Sequence, residues 1–331
     1  MPDPTRTDLD VLVIGEVLVE ISSREPLGER TAATVDFSGD ALNVACAAAS
    51  AGARTALLAR IPDDELGDAI VAKLRRFGVR TDTVIRGEGQ HGLYLSHGDP
   101  LGGREFTYVR RGSFGSTLQP DDLDPDLLAA TAVVTASGIA TAVSDSAAAL
   151  VERAAAAARC FVYDPNLRLR LTTAARAAAT LARLAPHCAV VTPSCPGEAE
   201  ALLGLAPGAA EAAVVARLRA LGARDVVVTR GAEGSLVAAG PDLTDVPVVP
   251  APQVVDQTGA GDSMTGTLCA RLAAGDDLVE AVRLGAAAAS LSVGALGGTG
   301  LVPTLDRIRA HRGAHAAADP AAGLATQGAS S

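Results

Sequence analysis

The residues best suited to chemistry lie in one stretch, Val254-Val255-Asp256-Gln257-Thr258-Gly259-Ala260-Gly261-Asp262-Ser263-Met264-Thr265-Gly266. A short apolar segment precedes it, and an alanine-rich run to Ala274 that reads as helix follows. Gly259 and Gly261 supply backbone freedom and let a ligand approach closely. Asp262 falls at or just inside the helix start, where unpaired N–H groups and the positive dipole end gather. Such an arrangement holds an anion on main-chain donors with a carboxylate beside it. Phosphoryl transfer asks for that pair: donors for the transferred oxygens, and a base for the attacking hydroxyl. A plain N-cap on a glycine turn would use the same residues. A P-loop is excluded, because Gly261 is followed by Asp262 and Ser263 where Lys-Ser/Thr is required. A dinucleotide fingerprint is excluded too, since it opens the first βαβ unit and this motif comes late.

Other candidates are spread along the chain. Glu16 and Glu20 follow the first apolar run, Leu9 to Gly15, and a carboxylate at the end of a parallel strand points toward the ligand crevice of an open α/β sheet. Surface placement is the alternative for both. Ser38-Gly39-Asp40-Ala41-Leu42-Asn43 opens an alanine-rich helix that stops at Gly52. Asp40 and Asn43 share a face. Capping accounts for Asp40 but not for Asn43, whose amide suits a diol. Gly92–Ser96 and Arg104–Arg110 flank the turn His97–Gly103 as a hairpin. Tyr94, Tyr108 and Arg110 on it are substrate candidates, or else the core of a lid. Asp164, Asn166 and Arg168 alternate just past a strand end, where an arginine can fork onto a carboxylate or the segment can be a simple turn. Glu198, after Pro196-Gly197, either orients a metal-bound water or complements a helix dipole. The turn Thr229-Arg230-Gly231-Ala232-Glu233-Gly234 suits a nucleotide phosphate or ribose.

These residues need elements to position them. Strands are expected at Leu9–Gly15, Thr55–Arg60, Val79–Ile85, Ala132–Ala136, Cys160–Tyr163, Cys188–Val191 and Asp225–Thr229. Helices are expected between most of them, and at Leu278–Val293. This alternation specifies an α/β fold: a doubly wound, mostly parallel sheet flanked by helices, with right-handed crossovers. Segments 17–38 and 88–118 break the pattern and should form a small β-sheet lid beside the crevice. A single domain over 9–312 is expected, with 313–331 a disordered, non-catalytic tail. Aromatics are only 2% of the 331 residues, so the core must be Val, Leu and Ala. A net charge of −10 argues against nonspecific nucleic-acid binding. The five cysteines show no CxxC spacing, no signal peptide opens the chain and no apolar run matches a membrane span, so a cytoplasmic protein is expected. The edges and open face of a lid sheet would permit a homo-oligomer.

Three separated matches together resemble the ribokinase-like (PfkB) carbohydrate kinases. Asp256-Gln257-Thr258-Gly259-Ala260-Gly261-Asp262 is similar to the family signature Asp-Thr-Thr-Gly-Ala-Gly-Asp, with Gln257 for the middle threonine. Ser38-Gly39-Asp40-Ala41-Leu42-Asn43 resembles its glycine-glycine…asparagine signature, with Ser38 for the first glycine. Cys195-Pro196-Gly197-Glu198 resembles its Asn-x-x-Glu motif, with Cys195 in place of asparagine. The resemblance covers about residues 9 to 309 and implies a ribokinase-like fold and transfer of the γ-phosphoryl of ATP, with Mg²⁺, to a sugar hydroxyl. It implies Asp262 as catalytic base and the backbone of Gly259, Ala260 and Gly261 as anion hole. Thr229, Gly231 and Gly234 would lie at the nucleotide, and Glu198 would act on the metal through water. Within the family, Gly15-Glu16, Gly39-Asp40-Ala41-Leu42-Asn43, Gly92-Leu93-Tyr94, Tyr108-Val109-Arg110 and Asp164-Pro165-Asn166-Leu167-Arg168 look most like 2-keto-3-deoxygluconate kinases. A carboxylate-bearing substrate would then meet Arg110, Arg168 and the tyrosine hydroxyls. A kinase for fructose, ribose or another neutral sugar is the nearest alternative, and a noncatalytic sugar- or nucleotide-binding module the more distant one.

Overall fold

Leu9–Ile14 (β1) is apolar at nearly every position, and a strand without polar alternation must be covered on both faces. In the computed structural model, which describes residues 9–23, 25–98 and 104–316, β1 lies inside a nine-stranded sheet. Beyond β1, the lid contributes Leu18–Ser23 (β2) and Thr34–Ser38 (β3), and the large sheet resumes with Thr55–Pro62 (β4) and Val84–Gly87 (β5). Gly92–Gly98 (β6) and Arg104–Val109 (β7) return to the lid. Then come Thr131–Ser137 (β8), Phe161–Asp164 (β9), Val190–Val191 (β10), Asp225–Thr229 (β11), Ser235–Ala239 (β12) and Asp242–Val246 (β13). The large sheet runs β13-β12-β11-β10-β9-β8-β1-β4-β5, parallel throughout except for the β11-β12-β13 edge.

The helices are Asp40–Ser50 (α1), Glu65–Arg76 (α2), Pro125–Ala130 (α3), Gly138–Val143 (α4), Asp145–Ala157 (α5) and Ala174–Leu184 (α6), followed by Glu198–Leu203 (α7), Glu211–Ala220 (α8), Ala260–Ala273 (α9), Leu278–Ser292 (α10) and Leu305–Ala316 (α11). They cover both faces. Leu12 and Ile14 of β1 pack in one layer with Leu150, Leu181 and Leu218, while Val11 and Val13 pack in the other with Leu42, Leu268 and Val282. No helix among the described residues is long and apolar enough to cross a membrane.

The expected alternation holds, with differences that have physical reasons. Arg80 makes only an isolated bridge to Ala56, so the strand expected at Val79–Ile85 begins later, at Val84. The strand expected from Cys188 narrows to two residues. Strand β13 has an exposed polar sequence, and only its antiparallel ladder with β12 defines it. Helix α11 runs to Ala316, past the boundary at Arg312, and residues 317–331 lie outside the described residues.

The lid is a separate four-stranded sheet, β3-β2-β6-β7, with β2 and β6 parallel. The turn expected between β6 and β7 falls, at 99–103, outside the described residues. Lys73 of α2 anchors the sheet by donating to Asp36 Oδ1 at 2.5 Å and to the Phe37 carbonyl at 2.7 Å.

Helices α1 and α9 touch backbone to backbone. A Cβ on Gly266 would sit 2.4 Å from the Val44 carbonyl oxygen and 2.7 Å from the Ala47 Cβ. Overfilling such a contact costs about 1–3 kcal/mol. Gly266→Ala is therefore expected to lower the thermal unfolding midpoint by several degrees, and calorimetry of the two proteins checks it.

Candidate active site

A cavity of about 880 Å³ opens between the carboxyl ends of the parallel strands and the lid. Its floor is the mouth of α9. Gly259 takes a left-handed conformation, φ +80°, as the N-cap, and a Cβ there would lie 2.7 Å from Gly298 Cα. Asp262 is the third helical residue, in the turn whose N–H groups lack helical partners. The loop before it is shaped by buried Asp256, whose carboxylate accepts from Thr258 N and Oγ1 at 3.1 and 2.8 Å and from Gly297 N at 2.8 Å. Gly259, Gly261 and Asp262 lie on the cavity wall.

The N-terminus of α1 converges on the same point. Gly39 caps it with φ +111°. Its place against the Glu16 carbonyl oxygen, 2.8 Å from any Cβ, admits no side chain. Asn43 Nδ2 donates to Asp262 Oδ2 at 2.8 Å. Asp40 also lines the cavity, its carboxylate held by the Ser137 hydroxyl. Asn43 is thus explained by a partner 219 residues away.

The electrostatics are dominated by carboxylates. Burial pushes the Asp262 carboxyl up to about 7, Asp40 adds to the rise, and the Asn43 hydrogen bond and Arg168 oppose it. Burial, with Glu198 and Asp262 as like-charged neighbours, holds Asp164 well above its ordinary range. Arg168 lies on the wall and, among the described residues, forms no ion pair. Arg110 is different. Its Nε donates to Glu16 Oε2 at 2.9 Å, its Nη2 donates to the same oxygen, and Ser113 Oγ donates to Oε1.

Most of the expected site residues do come together. Gly39, Asp40, Asn43, Tyr94, Tyr108, Arg110, Asp164, Asn166, Arg168, Glu198 and Thr229 all border the cavity. Tyr94 and Tyr108 are cross-strand partners with ring centroids 5.9 Å apart, so they are lid core and cavity wall at once. Glu16 does not border the cavity. It is 1% exposed and turned toward the lid root, because Arg110 supplies the charge that a buried carboxylate needs. Gly231 and Gly234 also lie off the wall. Gly234, φ +85°, serves the β11–β12 turn, where a Cβ would meet the Val246 carbonyl oxygen at 2.3 Å.

Three elements of the site were not anticipated. Ser194, not Cys195, borders the cavity, and it donates from N and Oγ to Glu198 Oε2 at 2.8 and 3.0 Å. Glu198 also accepts from Leu167 N, joining the loops after β9 and β10. Cys195 points to Glu200 instead, 4.0 Å away, and burial raises its thiol to about 11. The buried Thr192 hydroxyl borders the cavity and, among the described residues, has no hydrogen-bond partner. Finally, Gly297 and Gly298 back the site against Asp256, Gly259 and Asn43, and the glycine clustering at 294–300 was their sequence signal.

Residues 8–305 match the family described as pfkB family carbohydrate kinase. The chain belongs to the PfkB carbohydrate kinase family. It is 32% identical over 310 residues to a 2-dehydro-3-deoxygluconokinase of Thermoproteus tenax, covering 91% of this chain and 94% of that one. It is 29% identical over 319 residues to a 2-dehydro-3-deoxygalactonokinase of Haloferax volcanii, covering 94% and 99%. The crystal structure of a fructokinase with bound ATP from Xylella fastidiosa superposes with a TM-score of 0.82 at 22% identity, over 93% of this chain and 99% of that one. The ribokinase-like fold expected from sequence is therefore the fold of this PfkB kinase.

If Asp262 is the base of this PfkB kinase, it must be ionised to act, and kcat/KM should fall as pH drops through about 7. Asp40 is a like charge that raises that carboxyl, so Asp40→Asn should move the limb to lower pH. Steady-state profiles from pH 5 to 9 measure both.

Proposed function

We propose that this kinase phosphorylates the terminal hydroxyl of a keto-deoxy sugar acid of the 2-keto-3-deoxygluconate type, using ATP and Mg²⁺. The observation that carries the reading is Arg168, a cation without an ion-pair partner among the described residues, on the wall of a cavity otherwise rich in carboxylates. A substrate carboxylate would give it a charge-assisted partner. The names of the Thermoproteus tenax and Haloferax volcanii relatives point to the same substrate class. Asn43, Asp40 and Asn166 offer donors and acceptors for hydroxyls, and the Tyr94–Tyr108 face covers the sugar from the lid side.

In this reading the sugar hydroxyl attacks the γ-phosphorus in line, and Asp262 accepts its proton. The first-turn amides of α9, from Gly259 to Gly261, hold the phosphoryl oxygens. Thr229, on the cavity wall, would lie toward the nucleotide, with Gly231 and Gly234 shaping the turn behind it. Arg170 donates to the Phe106 carbonyl of β7, so the loop after β9 crosses to the lid and helps to exclude water, a competing acceptor.

The chain's own residues fit a Mg²⁺ ion held at a distance. Burial first, and neighbouring carboxylates after it, raise both Asp164 and Asp262, and a cation would relieve the second of these. Among the described residues no three carboxylate, histidine or cysteine groups could hold a metal directly. Mg²⁺ keeps several waters and binds largely through substrate phosphates, so Glu198 would act on it through water. When bound, it would neutralise charge on the transferred phosphate.

The Glu16–Arg110 pair favours a second reading, a neutral sugar as acceptor, because Arg110 is already neutralised without substrate. Association through the lid, whose outer strand β7 carries exposed Val109, is a further part of the proposal.

An ADP-release screen over 2-keto-3-deoxygluconate, its galacto epimer, fructose, ribose and gluconate tests the substrate class. ADP release with a neutral sugar and none with the sugar acids would overturn it. Asp262→Asn should cut kcat by about a hundredfold or more with little change in ATP affinity, and unchanged turnover would remove Asp262 from the role. Arg168→Ala should lower kcat/KM for the sugar acid by about 10- to 100-fold and for neutral sugars far less. Equal losses on both would sink the carboxylate reading.

A further inference from the structure

The Asn43 amide that holds Asp262 is itself held from behind. Its Oδ1 accepts a hydrogen bond from Ser38 Oγ at 3.2 Å while its Nδ2 donates to Asp262 Oδ2 at 2.8 Å. Ser38 is 2% exposed and Asn43 4%, so water competes little at this end of the site. A primary amide has two ends of nearly equal shape and opposite polarity. Turned over, Asn43 would set its oxygen against a carboxylate. A donating Ser38 hydroxyl and an ionised Asp262 therefore select the same orientation, and donation to Oδ1 strengthens Nδ2 as a donor. Gly298 lies against the amide and leaves it the space it occupies, since a Cβ there would be 2.3 Å from Nδ2 and 2.7 Å from Cγ.

Ser38 is the last residue of β3, a lid strand. It is placed by its register with Leu18 and by the bond from Lys73 Nζ to the adjacent Phe37 carbonyl. The hydroxyl thus joins the lid sheet to the meeting point of α1 and α9.

We propose that Ser38 is a positioning residue for phosphoryl transfer, fixing the Asn43 amide in the orientation that donates to Asp262. The proposal rests on the reading of Asp262 as base. The charged groups that face Asp262 are Asp40 from α1, and Asp164 and Arg168 from β9 and the loop after it. The Tyr94 phenol of β6 lies on the same cavity. Removing the Ser38 hydroxyl leaves the charged groups in place; it removes the bond that supports the Asn43 donation favouring the ionised carboxylate, together with a contact to the Tyr94 phenol that Ser38→Thr keeps.

The test is Ser38→Ala, read two ways. The carboxyl ¹³C shift of Asp262, identified by its loss in Asp262→Asn, is followed against pH without substrate, and kcat/KM is measured over the same range. The Asp262 midpoint should rise by about half a pH unit, equivalent to about threefold in kcat/KM below the midpoint, with KM for ATP unchanged. Ser38→Thr, which keeps the hydroxyl, should return the midpoint to that of the parent. An unmoved Asp262 titration in Ser38→Ala overturns the proposal. So does an equal shift in Ser38→Thr, which would assign the effect to packing. A shifted titration that the rates do not follow supports the coupling and counts against Asp262 as the base.

Discussion

The structure turns on a single hydrogen bond between two helix mouths, from Asn43 of α1 to Asp262 of α9. Both residues lie in the first turn of their helix, where main-chain donors are free and the dipole is positive. Bringing two such ends together concentrates anion-binding capacity at one point. It demands helices that pack without side chains between them, which is the role of Gly266 and the alanines of α1.

Around that bond, charge is distributed unevenly. Asp40, Asp164, Glu198 and Asp262 surround a cavity in which Arg168, among the described residues, forms no ion pair, whereas Arg110 is committed to Glu16. Repulsion and burial keep Asp262 near neutrality in its proton affinity, where a carboxylate is a better base than in water. The same crowding favours a nearby cation. The buried Glu16–Arg110 pair sets a boundary to this field. It ties the end of β1 to the root of the lid, with Arg110 also on the cavity wall.

The lid is bound to the large domain by polar contacts at several places: Lys73 to Asp36 and Phe37, Arg110 to Glu16, and Arg170 to Phe106. These ties act beside apolar contacts at the root of the sheet, where Leu18 and Val19 are buried and Phe37 packs against the core.

Much of this was legible in the residues alone. The βα alternation, the lid segments and the motif ending in Asp262 follow from apolar periodicity, glycine placement and helix-start chemistry, all of which act over a few neighbours. Membership of the PfkB family agrees with that reading. What adjacency in sequence could not decide was which polar group faces the ligand and which faces another part of the protein. Glu16 and Glu20 looked alike, and only the fold delivered Arg110 to Glu16. Cys195 occupied the motif position, yet the turn of the chain brought Ser194 to the wall. The Gly297–Gly298 loop gained meaning only once it lay against Gly259 and Asn43. A side chain's local propensity is set by its own backbone, but its partner is set by elements far along the chain, and partners were what tertiary structure alone could assign.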